Sequence, residues 1–160
     1  ANPCPCGYLN HSKKSCICSP RAIKKYQKRV SGPILDRIDL HVDVPRVKYE
    51  KLASEKVAEE STKVRNRVEA ARQIQRQRFQ NKPLKVNAEM RPPQMKKYCQ
   101  IDEKSQELLK SAAAQFNLSA RAYYRILKLA RTIADLAGTK EIEPAYVAEA
   151  IQYRPKETVY

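Results

Sequence analysis

The chain has 160 residues, with 32 Lys plus Arg against 17 Asp plus Glu, a net charge of +15, five Cys and only three Gly, a length that allows one or two small domains. Its mean hydropathy is −0.69, and no run approaches the roughly 18–20 apolar residues of a membrane span, so a transmembrane protein is excluded. Three glycines leave no room for a G-x-x-x-x-G-K or G-x-G-x-x-G phosphate loop, and the first twenty residues hold Pro, Cys, Lys and Ser rather than an apolar signal run. The expectation is a cytosolic chain, opening Ala1-Asn2-Pro3, that is either a piece of something longer or handles no nucleotide by itself.

Four of the cysteines come first, as Cys4-Pro5-Cys6-Gly7 and Cys16-Ile17-Cys18, which is C-x-C, nine residues, C-x-C. In a reducing compartment such a quartet suits tetrahedral zinc-thiolate ligation better than disulfides, because four soft sulfurs satisfy zinc. Pro5 stiffens the first pair, and Gly7 can supply the positive φ of a tight loop. C-x-C is less usual for zinc than C-x-x-C. His11, inside the loop, is a possible substitute ligand, and reduced, packed thiols are the plain alternative.

Residues 20–31 read as a basic helix opened by Pro20 and capped by Ser19, with Ile23, Tyr26, Gln27 and Val30 on one face, broken at Ser31-Gly32-Pro33. Alternation from Ile38 to Val44 predicts a strand ended by Pro45, and one strand needs sheet neighbours that this chain does not supply. A long polar helix is expected from about Lys51 to Phe79, then a linker over Asn81–Pro93 with three prolines. Three more helices follow, Asp102–Asn117, Ser119–Ala137 and Glu143–Tyr153. Their signals are Asp102 and Ser119 as N-caps, Gly138 as a C′ residue and Pro144 in a first turn. The middle one is expected to bury Tyr123, Ile126, Leu127, Ala130, Ile133, Ala134 and Ala137.

The positive charge is uneven. Residues 1–45 hold 8 basic and 3 acidic groups, residues 46–100 hold 15 and 6, and residues 101–160 hold 9 and 8. Clustered surplus favours a polyanionic partner such as nucleic acid, although Arg65, Arg67, Arg72, Arg76 and Arg78 on the long helix also fit a solvated face.

Asn2-Pro-Cys-Pro-Cys-Gly7, the run Ser31-Gly-Pro-Ile-Leu-Asp-Arg-Ile-Asp-Leu-His-Val-Asp-Val-Pro45, and Leu118-Ser-Ala-Arg-Ala-Tyr-Tyr-Arg-Ile-Leu-Lys-Leu-Ala-Arg-Thr-Ile-Ala-Asp-Leu-Ala-Gly138 together resemble the Mg-chelatase-like AAA+ ATPases of the ComM/YifB family. The resemblance implies a mainly α fold, the truncated end of an AAA+ α/β core (one strand and the Cys-rich loop) followed by a helical lid bundle. The divisions it implies are 1–45 for the core remnant, 46–100 for the long basic helix and linker, and 101–160 for the lid. It further implies a cytoplasmic ring, a homo-oligomer of six subunits, that uses ATP and Mg²⁺ to remodel DNA in branch migration during natural transformation. Walker A and B would lie outside this chain, which would not hydrolyse ATP alone.

Residue by residue, the resemblance places Asn2 at sensor 1, which orients the attacking water, and Arg37 at the arginine finger lent to a neighbouring subunit's ATP. It places Arg121 at sensor 2, with Arg125 in reserve on the next turn. The logic is that phosphoryl transfer is catalysed mainly by fixed positive charge. A surface ion pair of Arg37 with Asp36 or Asp39, and a solvated Arg121, are the plain alternatives. Two other functions remain open: a non-enzymatic zinc module that binds nucleic acid or protein, and a true magnesium chelatase subunit. The Cys4, Cys6, Cys16, Cys18 insertion disfavours the latter. His41 and Cys99 read as half-buried and buried structural residues, and at least one of Tyr123 and Tyr124 reads as core.

Overall fold

The computed structural model describes residues 2–9, 11, 13–29, 32–35, 37–44, 47 and 59–154. Among them the chain is mainly helical, with α1 at Pro20–Gln27, α2 at Gly32–Leu35, α3 at Ser61–Arg78, α4 at Pro92–Tyr98, α5 at Glu103–Gln115, α6 at Ala120–Ala137 and α7 at Pro144–Gln152, plus a 3-10 turn at Asn87–Glu89. Two compact units divide after Ile38, the second being Asp39–Arg154.

The helix limits follow local chemistry. Ser19 Oγ accepts from the Ala22 amide at 3.2 Å, Asp102 Oδ1 from Ser105 at 2.9 Å, and Ser119 Oγ from Ala122 at 3.1 Å, each satisfying a donor that the first turn leaves without a helical partner. At the far end of α6, Gly138 takes φ +73 and Thr139 N–H donates to Ala134 O at 2.9 Å, the six-to-one closure that a left-handed residue allows.

In the second unit α6 is the central element, packed against α3, α4, the 3-10 turn and α7, while α5 packs on α7. Met90, Leu109, Ile126 and Val147 fill the core, and Ala130, Ala134 and Ala150, all fully buried, keep the helix surfaces close. Ile101 and Ile142 form a single parallel bridge between the loops before α5 and before α7.

Several expectations are corrected. Residues 38–44 carry no strand assignment. His41 N–H donates to Tyr153 O at 2.8 Å, but a ladder needs a neighbouring strand, and the face meant for a sheet, Ile38, Leu40, Val42 and Val44, stands 42–87% exposed. The break at residues 31–33 yields at Gly32-Pro33 to the one-turn α2, since proline is pre-organised for a first helical turn. The expected linker 81–93 holds the 3-10 turn and the start of α4, for the same reason. On α6, Tyr123 and Ala137 face outward and Ile133 is half-buried, whereas Arg131 and Asp135 are inside. Tyr124 packs on the core and Cys99 is buried, as read from the sequence. The start of the long helix, residues 51–58, Val30 of the first helix and Asp36 lie outside the described residues.

Candidate functional site

The two C-x-C pairs meet. Cys4 Sγ lies 3.4 Å from Cys6 Sγ and 3.7 Å from Cys16 Sγ, with 3.6 Å between Cys6 and Cys16, and all four sulfurs, Cys18 included, fall within 4.8 Å of one another. A tetrahedron with ligand bonds of about 2.3 Å has edges of about 3.8 Å, so the three spacings among Cys4, Cys6 and Cys16 are close to that edge, and the four sulfurs together could hold one ion. The loop is built for it. Gly7 N–H donates to Cys4 O at 3.0 Å in a tight turn, and Gly7 holds φ +78, the left-handed conformation a side chain would oppose. Cys4 is fully buried and Cys6, Cys16 and Cys18 half-buried.

The electrostatics divide the thiols. Backbone hydrogen bonding at Tyr8, supported by that at Ile17, pulls Cys6 down to about 6 against the effect of burial, which makes it a ready thiolate. Hydrogen bonding at the Cys18 backbone favours the Cys16 thiolate too, but burial and the neighbouring Cys6 and Cys4 thiols outweigh it and push Cys16 up to about 12. A cation at the centre would favour thiolates brought this close together. The donor set therefore can hold a metal ion and is compatible with zinc. His11 stands apart from the cage: its Nδ1 accepts from the Lys13 and Lys14 amides at 3.0 Å each, and its ring packs edge-on against Tyr8.

The remaining site residues lie on both units. Asn2 is exposed in the N-terminal unit, beside the Gly7 turn, its Cγ 3.8 Å from where a Cβ on Gly7 would sit. Arg37 is exposed just after α2, its amide bonded to Ile34 O at 3.0 Å. Arg121 is exposed on the first turn of α6, which carries no acidic residue. Arg125, one turn on, donates through Nε to Asp39 at 3.1 Å, with its side chain only 20% exposed. Of the two carboxylates considered for Arg37, Asp39 thus serves Arg125.

Sequence reasoning missed the polar cluster beneath this helix. Asp135, wholly buried, accepts from Arg78 Nη1 at 2.7 Å and from Arg78 Nη2, from Asn87 Nδ2 at 2.8 Å and from Arg131 Nε at 3.1 Å. Arg131 then donates to Lys140 O at 2.6 Å and Thr139 O at 2.8 Å, and Asn87 accepts from Arg78 at 2.8 Å. One carboxylate thereby ties α3, the 3-10 turn, α6 and the loop after α6. The available signal was an i, i+4 Arg/Asp pair in the middle of an apolar stripe. Burial pulls the Arg131 guanidinium below its ordinary value, against the opposing pull of Asp135.

Comparison with known proteins matches residues 58–154 to the family model for the C-terminal part of magnesium chelatase subunit ChlI and residues 1–52 to that for magnesium chelatase subunit ChlI. The competence protein ComM of Haemophilus influenzae is 38% identical over 154 residues, 96% of this chain and 29% of its own length. The uncharacterized protein YifB of Escherichia coli is 36% identical over 156 residues, again 96% of this chain and 29% of its own. An uncharacterized protein of Mycobacterium bovis is 32% identical over 154 residues, 96% of this chain and 30% of its own. The chain thus spans less than a third of the length of the curated relatives it matches. Among the described residues no helix is long and apolar enough to cross a membrane.

Proposed function

This chain belongs to the magnesium chelatase ChlI family, and from that footing we propose that it is the sensor and lid portion of a ring-forming, cytoplasmic AAA+ ATPase that remodels DNA. The observation that carries the reading is Arg121, an exposed guanidinium on the first turn of α6 with no acidic neighbour in that turn. The helix dipole disfavours a cation there, and a phosphate partner offsets that cost. In the assembled ring Asn2 would orient the attacking water, Arg37 would place its cation against the γ-phosphate held by a neighbouring subunit, and Arg121 would report that phosphate to the lid. Arg125 is the alternative contact, exchanging Asp39 for phosphate. With no G-x-x-x-x-G-K run in these residues, the nucleotide and its Mg²⁺ would be held by other parts of the whole protein.

A net charge of +15 and the name of the Haemophilus relative, a competence protein, favour DNA over a tetrapyrrole as the substrate. Zinc in the Cys4, Cys6, Cys16, Cys18 cage would be structural, since four protein sulfurs leave no open coordination position. Steady-state ATP hydrolysis by the whole protein tests the reading. Arg37→Lys and Arg121→Ala should each lower kcat by about a hundredfold or more, the scale of a missing phosphate-facing cation. Unchanged kcat in both variants would remove the roles given to Arg37 and Arg121, and absence of hydrolysis in the unsubstituted whole protein, with DNA affinity alone altered by the substitutions, would instead favour a non-enzymatic zinc module.

A further inference from the structure

The cations of α3 fall into three groups. Arg78 is turned inward onto Asp135. Arg67 makes a paired contact with Glu59, at 2.9 and 3.2 Å, on the side of α3 opposite Arg65, by helical geometry. Lys63, exposed, lies on the Arg67 side by the same geometry. Arg65, Arg72 and Arg76 are left, all exposed, and at 100° per residue they lie within about 40° of one another along one stripe. That stripe borders an open cleft of about 560 Å³, whose other wall brings Lys82 and Lys85.

We infer that this cleft is a docking surface for the phosphate backbone of double-stranded DNA, gripped without regard to base sequence. Four cations, Arg72, Arg76, Lys82 and Lys85, line it against one carboxylate, Glu69. The Glu69–Arg76 pair, 3.6 Å apart with both side chains exposed, is of the weak surface kind that a phosphate displaces. Arg65 extends the row, so that from Arg65 to Arg76 it runs about 16 Å at 1.5 Å per residue. Over that length each strand of a duplex offers roughly five phosphates, at about 3.4 Å of axis per charge. The one aromatic residue that lines the cleft, Phe79, is 2% exposed and holds the core, and the half-buried Tyr98 beside it is covered by the Lys82 and Lys97 ammonium groups, so the lining offers no ring to unstacked bases of the kind single-strand binders use. Charge without stacking or base readout favours a duplex.

This assignment rests on the reading that the partner is DNA, and its test does not involve ATP. Fluorescence anisotropy of a labelled mixed-sequence 30-base-pair duplex would be followed with the 160-residue chain between 50 and 200 mM salt. The variants are R65Q/R72Q/R76Q, K82Q/K85Q and, as a charge-matched control on exposed lysines elsewhere, K104Q/K110Q/K140Q, each checked for helicity by circular dichroism. The triple arginine variant should lose more than tenfold in affinity at 100 mM salt. Its slope of log K against log salt should flatten by about 2–3, near 0.9 per lost contact. The cleft lysine variant should weaken binding in the same direction, the control should change less than twofold, and a second duplex sequence should behave alike. Equal losses in the arginine variant and the control, tighter binding of the single strand than of the duplex, or no duplex binding at 50 mM would each overturn the assignment. Loss of DNA binding in the cleft variants alongside an absence of ATP hydrolysis in the unsubstituted whole protein would keep this surface and sink the ATPase reading.

Discussion

Replacing Asp135 by alanine should destabilise the second unit by about 3–5 kcal/mol, the scale of removing one partner from a buried ion pair. The structure explains why the cost falls there. The Asp135 side chain has no exposure and faces two guanidiniums, Arg78 at 13% and Arg131 at 4% exposure. Without the carboxylate Arg78 can turn toward water, but Arg131, 4% exposed, keeps among the described residues the Thr139 and Lys140 carbonyls as its acceptors. Simply adding its four charged or polar hydrogen bonds would overshoot, because the freed donors recover part of the loss. Against a typical total of about 5–15 kcal/mol this is a large fraction, and Tm should fall by roughly 10 °C or more. The assay is urea unfolding followed by circular dichroism. Arg67→Gln, which breaks the exposed pair with Glu59, serves as the contrast and should cost less than about 1 kcal/mol. A loss below about 1 kcal/mol for Asp135→Ala, equal to that of Arg67→Gln, would refute the reasoning.

Two further outcomes follow from single sites. Protein prepared without chelator should contain one zinc per chain by elemental analysis, and Cys4→Ser with Cys18→Ser should abolish it. Absence of zinc in the unsubstituted protein would leave the four sulfurs as packed thiols. At α5, hydrogen bonding from Ser105, whose amide donates to Asp102 Oδ1 at 2.9 Å, holds the Asp102 carboxyl below the usual range. A carboxyl depressed in the folded state stabilises at pH values above its unfolded value and stops doing so as pH falls through the folded one. Asp102→Ala should therefore lower the urea midpoint at pH 7, and the difference from the unsubstituted protein should narrow as the pH falls past the ordinary carboxylate range and through the lowered folded-state value. A difference constant from pH 7 to pH 2 would show that the cap acts without its charge.

What could be read from the sequence was what local chemistry decides. Ser19, Asp102, Ser119 and Gly138 mark helix ends because a hydroxyl, a carboxylate or a missing Cβ acts on backbone within a few residues. The cysteine quartet was legible for the same reason, each pair being two residues apart and both pairs lying in one loop. The segment 38–44 misled because alternation reports a face that must be covered, and a strand exists only when another pairs with it. The helix α4 was hidden by Pro92 and Pro93, which punctuate linkers and open helices alike. Arg131 and Asp135 were misjudged because a charged residue is buried only when partners distant in sequence, here Arg78 and Asn87, close around it. The same distance effect gave Arg125 its partner, Asp39, which no spacing rule connects to it.

The measurement closest to the central claim is the conversion of a mobile four-way DNA junction by the whole protein with ATP and Mg²⁺. The account predicts ATP-dependent conversion to duplex products that disappears in Arg37→Ala while junction binding is retained. ATP hydrolysis with no change in any DNA structure, accompanied by magnesium insertion into a porphyrin, would contradict it.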